Sequence, residues 1–184
     1  MRAFGMLILG MVLGAAAIVF AVYFYFSTGQ APVATSASPM PFERKLAHRA
    51  LDAAIGREMP KTVPIQPDEA NLAAGALLYR EHCAVCHGLP GQQRTAIAAG
   101  MYPHPPKLME GKGVTDDEPG ESYWKVAHGI RLSGMPGFES RLSQTQMWQV
   151  SLLVANADKL PKSVQDTLAA PLSPDVAAKA VRAK

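Results

Sequence analysis

Two cysteines and one histidine form the most chemically specific pattern in the chain. They lie within the five residues Cys83-Ala84-Val85-Cys86-His87, and the chain contains no other cysteine. Each thiol of such a motif can add to a vinyl group of haem, while the adjacent imidazole ligates the iron from one face. The motif therefore predicts one haem c, covalently bound through Cys83 and Cys86, with His87 as an iron ligand.

Three other interpretations of the two cysteines remain open. A disulfide between them is possible in an oxidising compartment, but so short a ring is usually redox-active rather than structural. A thioredoxin-like pair would be accompanied by a βαβ pattern, which the sequence does not suggest, and a zinc site would need further cysteines or a histidine cluster. The spacing of the motif favours haem over all three.

The N-terminal segment is strongly apolar. Residues 3–26 contain no charged side chain, and as a helix they would extend about 36 Å, enough to cross a hydrocarbon core of roughly 30 Å. The aromatic run from Tyr23 to Phe26 is typical of a membrane interface, whereas a cleaved signal peptide has a shorter apolar region. We therefore expect residues 1–26 to be a retained transmembrane anchor that contacts the lipid bilayer through residues 3–26. Arg2 before the span favours a cytoplasmic N-terminus, with everything after residue 26 outside.

Composition divides the rest of the chain into three segments. Residues 27–66 are predicted to form a tether, rich in Ser, Ala and Pro, that contains a short helix over residues 42–58. Residues 67–160 are predicted to form the haem domain. Residues 161–184 are an Ala-rich tail, either a weak helix or disordered.

Within residues 67–160, apolar spacing and capping residues predict three helices. They cover residues 69–82, 121–129 and 143–157, with Asp68 and Ser143 as N-caps. The segment 88–120 between the first two is rich in Gly and Pro and too long for an ordinary loop in a compact domain. A haem would supply the apolar core that so loop-rich a chain lacks.

Residues Pro67 to Leu160 resemble the class I cytochromes c. In that family an N-terminal helix crosses a C-terminal helix at a small residue and an aromatic contact, and Gly75, Tyr79 and Trp148 fit this arrangement. Pro106 and Leu108 match a Pro-x-Leu sequence whose proline carbonyl accepts a hydrogen bond from the iron-ligating histidine. The resemblance implies an all-α class I cytochrome c fold, with about three to five helices around one covalently attached haem, preceded here by a single transmembrane helix.

The resemblance also implies a methionine as the second iron ligand, in a loop before the last helix. Met135, within Ser-Gly-Met-Pro-Gly-Phe, matches that position. A thioether favours reduced iron and closes the coordination sphere. Met101 and Met109 are alternative thioether ligands, and His104 or His128 would instead give a bis-histidine iron.

The charge distribution bears on partners. Residues 67–160 carry eight Lys or Arg and ten Asp or Glu, so no basic surface is available for phosphates and a nucleic-acid partner is disfavoured. An acidic cluster, Asp116, Asp117, Glu118 and Glu121, is interpreted as a solvated surface rather than a docking patch.

These observations predict a non-enzymatic function. We expect a membrane-anchored electron-transfer protein with His/Met-ligated iron, which serves redox proteins in or at the membrane of a bacterial respiratory or dehydrogenase chain. Because the family acquires haem on the outer face of the bacterial cytoplasmic membrane, the haem domain is expected on the periplasmic side. Two alternatives remain: a haem subunit of a larger oxidase or dehydrogenase, and a gas sensor or peroxidase with an open iron site.

Overall fold

The computed structural model describes residues 2–110 and 115–170, and every regular element in these ranges is helical. The α-helices are α1 (Arg2–Ser27), α2 (Glu43–Glu58), α3 (Glu69–Leu78), α4 (Ala84–His87), α5 (Ala96–Gly100), α6 (Pro119–His128), α7 (Gln144–Ala155) and α8 (Lys162–Ala169). A short π-helix, Tyr79–Cys83, joins α3 to α4. The chain divides into two compact units between Leu46 and Ala47. The predicted all-α class is confirmed for the described residues.

Helix α1 is long and apolar enough to cross a membrane. It comprises 26 residues with a mean hydropathy of 2.5 over its most apolar window, and none of its side chains is buried within the protein. A helix that is apolar on all sides is suited to a lipid environment. This agrees with the span predicted over residues 3–26.

The core of the second unit is built where α3 crosses α7. A Cβ added to Gly75 would lie 2.3 Å from the backbone oxygen of Gln149 and 3.2 Å from Cβ of Leu153, so the crossing is possible only with glycine at this position. Tyr79 and Leu153 are completely buried nearby. Gly75 therefore occupies the small-residue position that the sequence predicts. The ring of Trp148 stacks on Tyr123 of α6, with 4.3 Å between centroids.

The first predicted helix does not continue as a regular α-helix into the cysteine motif. Its hydrogen-bond ladder widens at Tyr79–Cys83 into a π-helix, a local distortion that is frequent at functional sites. The Tyr79 hydroxyl donates to the Gly88 carbonyl oxygen at 2.8 Å. This bond joins the residue that begins the π-helix to the residue that directly follows the cysteine motif.

The third predicted helix begins where its cap predicts. The Ser143 hydroxyl accepts a bond from the Gln146 backbone amide, and the Gln146 side chain accepts one from the Ser143 amide, which together form a capping box. Asp68 caps α3 through the Asn71 amide at 2.8 Å. Two polar side chains thus define where both crossing helices begin.

Part of the predicted tail is a helix that packs on the core. Val164 and Leu168 of α8 are buried against the cluster that contains Leu72 and Leu153. The Arg80 guanidinium binds the C-terminal end of α8, donating to the carbonyl oxygens of Thr167 and Ala170 at 2.6 Å each and of Leu168 at 3.2 Å. Residues 171–184 of the tail lie outside the described residues.

The chain also packs on the domain before α3 begins. Ile55 of α2 is buried, and the Trp124 indole of α6 donates to the Glu58 carboxylate at 3.2 Å. Ile65 packs against the main core cluster. The last part of the predicted tether is therefore in contact with the domain.

Candidate haem site

The residues of the cysteine motif lie on the π-helix and on α4. Cys83 ends the π-helix, while Cys86 and His87 lie on the single turn of α4. Both thiols are free and partly accessible, and no disulfide joins them. Two thiols and an imidazole on adjacent turns are thus available to bind the same prosthetic group.

The two thiols are not activated in the way that a redox pair is. Burial, together with the nearby Cys86, raises the pKa of Cys83 to about 12, and burial also raises the pKa of Cys86. Redox-active Cys-x-x-Cys pairs have lowered pKa values because the thiolate is the nucleophile. The local environment therefore argues against the thioredoxin-like interpretation.

A zinc site also lacks support. Within residues 2–110 and 115–170, no group of three or more His, Cys, Asp or Glu side chains is arranged to hold a metal ion. Structural zinc takes four such ligands and catalytic zinc takes at least three.

His87 is oriented by a backbone carbonyl. Its Nδ1 lies 2.8 Å from the carbonyl oxygen of Pro106, so a proton on Nδ1 donates to Pro106 and leaves Nε2 as the lone-pair nitrogen. Burial lowers the pKa of His87, and the bond to Pro106 partly offsets this. Neutral imidazole with Nε2 free is the form that ligates iron.

Leu108 and Met109 lie on the apolar side of the motif. Both side chains are partly buried and pack against the cluster of α3, α7 and α8, which Cys83 also contacts. This packing explains Met109 as an apolar side chain of the core, without a role as an iron ligand. In the Pro-x-Leu sequence, the Pro106 carbonyl oxygen orients His87, and Leu108 packs against the same core cluster as Cys83.

Met135 lies in a closed loop between α6 and α7. The Phe138 amide donates to the Val126 carbonyl oxygen at 2.9 Å, which joins the two ends of the loop, and the Ile130 amide donates to the Met135 carbonyl oxygen at 3.1 Å. Met135 packs against the second core cluster, and Cys83 packs against the same cluster. Cys83 therefore contacts both clusters, and Met135 contacts one of them.

The two alternative histidine ligands lie in other surroundings. His104 is exposed. His128 lies beside the Trp124 ring, with 5.1 Å between centroids, and its Nδ1 is 3.9 Å from a Glu139 carboxylate oxygen. These contacts explain His128 as a surface side chain, without a role as an iron ligand.

One buried polar atom tests whether haem fits this site. The Tyr102 hydroxyl is buried and has no hydrogen-bond partner among the described residues, an arrangement that costs about 1–3 kcal/mol. Tyr102 follows Met101, which contacts Gly134 in the Met135 loop. Haem carries carboxylates that would accept this bond, and the free thiols and the Nε2 lone pair supply the attachment points. The residues fit a covalently bound haem.

Sequence reasoning missed two features of this site. The Tyr102 hydroxyl gave no signal, because a tyrosine in a Pro-rich loop is ordinarily a surface residue. Met101 was considered only as an alternative ligand, and its contact with Gly134 depends on a loop conformation that periodicity does not describe.

One comparison with known proteins, the scan of family models, agrees with this geometry. The family model described as cytochrome c oxidase, cbb3-type, subunit III matches residues 70–152. A search of curated proteins finds no match. Among solved structures, the Kuenenia stuttgartiensis reducing HAO-like protein complex Kustc0457/Kustc0458 is similar at 24% identity and a TM-score of 0.46, over 56% of this chain and 53% of that one. The chain thus spans about half the length of that protein. The family match supports a class I-like, mono-haem type of c-type cytochrome domain over residues 70–152.

Proposed function

We propose that the protein transfers single electrons through one haem c whose iron is ligated by His87 and Met135. The observation that carries this proposal is the bond between His87 Nδ1 and the Pro106 carbonyl oxygen at 2.8 Å, which orients the imidazole and leaves Nε2 for iron. Bound haem would supply a one-electron couple. For electron transfer, the protein mainly has to supply fixed iron ligands and an environment that excludes water.

Each residue of the site has a role in this proposal. Cys83 and Cys86 would hold the group covalently, and His87 would ligate the iron. Met135 would be the second iron ligand and would exclude exogenous ligands, while Leu108 packs against the same core cluster as Cys83. A closed coordination sphere separates this function from a gas sensor or peroxidase, both of which need an open position.

We further propose a membrane-bound location. Helix α1 is long and apolar enough to cross a membrane, and Arg2 is the charge that precedes its apolar run. The positive-inside rule then supports an inner-membrane anchor, with the haem domain, residues 67–160, on the periplasmic side. There the tether of residues 27–66 would keep the domain close to redox partners in the membrane.

The absorption spectrum tests the iron ligands. We expect the purified protein to show a low-spin c-type spectrum when reduced, unchanged by carbon monoxide, and a weak far-red sulfur-to-iron band when oxidised. Met135→Ala should lose the far-red band and bind carbon monoxide. Met109→Ala is the matched control and should keep the spectrum. If the unsubstituted protein binds carbon monoxide readily, sensing or catalysis replaces electron transfer as the function.

A second candidate is a permanent haem subunit of a larger oxidase. The observation that favours it is the description of the matching family, which names a subunit of an oxidase. Gentle solubilisation of membranes and size separation distinguish the two. Co-migration of all the haem-stained chain with a larger complex supports the subunit, and a separate small species supports the mobile carrier.

A further inference from the structure

Gly134, directly before Met135, is in unusually close contact with another segment. A Cβ added to Gly134 would lie 1.9 Å from Cε of Met101 and 3.4 Å from its Sδ. Gly134 does not have a positive φ angle, so the backbone conformation alone does not require glycine here. The terminal methyl group of Met101 occupies the space that a side chain at residue 134 would fill.

Apart from the packing of Met135 on the second core cluster, the described contacts of the loop that carries it are mainly local. Its internal bonds are local: the Ser133 amide and hydroxyl donate to the Ile130 carbonyl oxygen, at 3.2 and 2.6 Å, and the Met135 amide donates to the Ser133 hydroxyl oxygen at 3.2 Å. Leu132 has a φ of 59° and is 95% exposed, so its side chain contributes no packing. These bonds shape the loop locally, and the Met101 contact at Gly134 joins the loop to a more distant segment of the chain.

Met101, in contrast, is attached to the cysteine motif. It directly follows α5, whose N-cap Thr95 accepts a bond from the Ala98 amide at 3.1 Å. The Thr95 hydroxyl also donates at 2.6 Å to the carbonyl oxygen of Val85, between the two cysteines. Ala98 is buried. A short series of contacts thus runs from the motif through α5 to Met101 and on to Gly134.

We propose that Met101 is a positioning residue that holds the Met135 loop against the segment following the cysteine motif, and so keeps the Met135 sulfur at the iron. The proposal rests on the ligand set proposed above. Met101 acts by packing, through its methyl group on Gly134, and not as a ligand. An unbranched thioether side chain is well suited to filling such an irregular gap.

The test measures how readily an added ligand displaces Met135. Imidazole is titrated into the oxidised, haem-loaded protein, and loss of the far-red band reports displacement. We expect Met101→Ala to bind imidazole about tenfold more tightly, the effect of losing roughly 1.4 kcal/mol of packing, while the band remains without imidazole. Met101→Leu restores the packing and should bind close to the unsubstituted protein. Ile97→Ala, at an exposed position on α5, is the control and should have no effect.

A double-mutant cycle tests the contact itself. Gly134→Ala forces the Met101 methyl group aside and should also tighten imidazole binding. When Met101→Ala is already present, Gly134→Ala meets open space and should add little, so the two effects are not additive. Reduction potentials of the same variants give a second readout of the iron's ligation.

The possible outcomes separate this inference from the proposed function. If Met101→Ala and Gly134→Ala both bind imidazole like the unsubstituted protein while Met135→Ala has lost the far-red band, Met101 has no positioning role and the ligand assignment stands. If Met135→Ala keeps the band and Met101→Leu loses it, Met101 is itself the ligand, and both proposals are wrong.

Discussion

The crossing of α3 and α7 and the loops beside the cysteine motif differ in how they are held. At the crossing, Gly75 allows close contact with the backbone of Gln149, and the Leu153 side chain is completely buried. The side-chain amide of Gln149 also donates a hydrogen bond to the side-chain oxygen of Asn71 at 3.0 Å. Apolar burial and close packing of this kind are the main stabilising contributions in a small domain. This helix pair is stabilised by contacts between protein groups.

The loops after the motif have a different kind of support. Lys107 donates to the Gln92 carbonyl oxygen at 3.1 Å and pairs with Glu110 at 2.9 Å, and Glu110 accepts from the Gly91 amide at 3.0 Å. The Lys107 and Glu110 side chains are each 38% exposed, and such pairs contribute little. The comparison predicts that the helix pair holds itself together, whereas the loops would gain further support from the proposed haem.

Removal of the covalent attachment tests this dependence and should have the largest effect. In Cys83→Ala combined with Cys86→Ala, we expect amides of residues 88–108 and 129–137 to lose exchange protection by on the order of a hundredfold more than amides of α3 and α7. The reason is that the loops lose the surface they pack on. Hydrogen exchange of the substituted and unsubstituted proteins measures it, and equal loss in both regions would contradict the comparison.

The helix crossing itself should be sensitive to a single added methyl group. Gly75→Ala places a Cβ against the α7 backbone, which cannot rotate away, and we expect a loss of about 2–3 kcal/mol in the free energy of unfolding. Denaturant unfolding of the haem-loaded protein measures the change. Gly56→Ala is the matched control, because Gly56 lies in helix α2 with nothing within 4 Å of an added Cβ. A similar loss in the control would mean that space at the crossing is not the cause.

The attachment of α8 should contribute less to the free energy of unfolding than the helix crossing does. Arg80→Met keeps an apolar stem but removes the donors to the last turn of α8, and we expect a loss of about 1–2 kcal/mol in the free energy of unfolding. Limited proteolysis should cut near residue 170 sooner than in the unsubstituted protein. Lys162→Met removes only an exposed pair with Asp166 and serves as control. If it is as destabilising as Arg80→Met, binding of the α8 end by Arg80 contributes nothing specific.

The same contrast explains what could be predicted from the sequence. The caps at Asp68 and Ser143 and the apolar α1 follow from local rules about capping and length. The crossing at Gly75 follows from the resemblance to the class I cytochromes c. The π-helix at Tyr79–Cys83 could not be predicted, because one extra residue in a turn leaves the apolar pattern almost unchanged.

The long-range contacts of the loops and of the tail could not be predicted from the sequence either. The attachment of α8 through Arg80 and the contact of Met101 with Gly134 each join residues far apart in the chain. Periodicity reports only neighbours within a few turns, so neither contact had a signal. For the candidate site, the motif predicts Cys83, Cys86 and His87. The part that Tyr102 plays depends on the burial of its hydroxyl group in the folded chain, which no sequence pattern reports.

The position of Cys83 has a consequence for how the two halves of the core are connected. Its side chain packs against both core clusters and stays partly accessible. A group attached to this sulfur would therefore be anchored at the one motif residue that both clusters share. A change of packing in either cluster would then reach the attachment point directly.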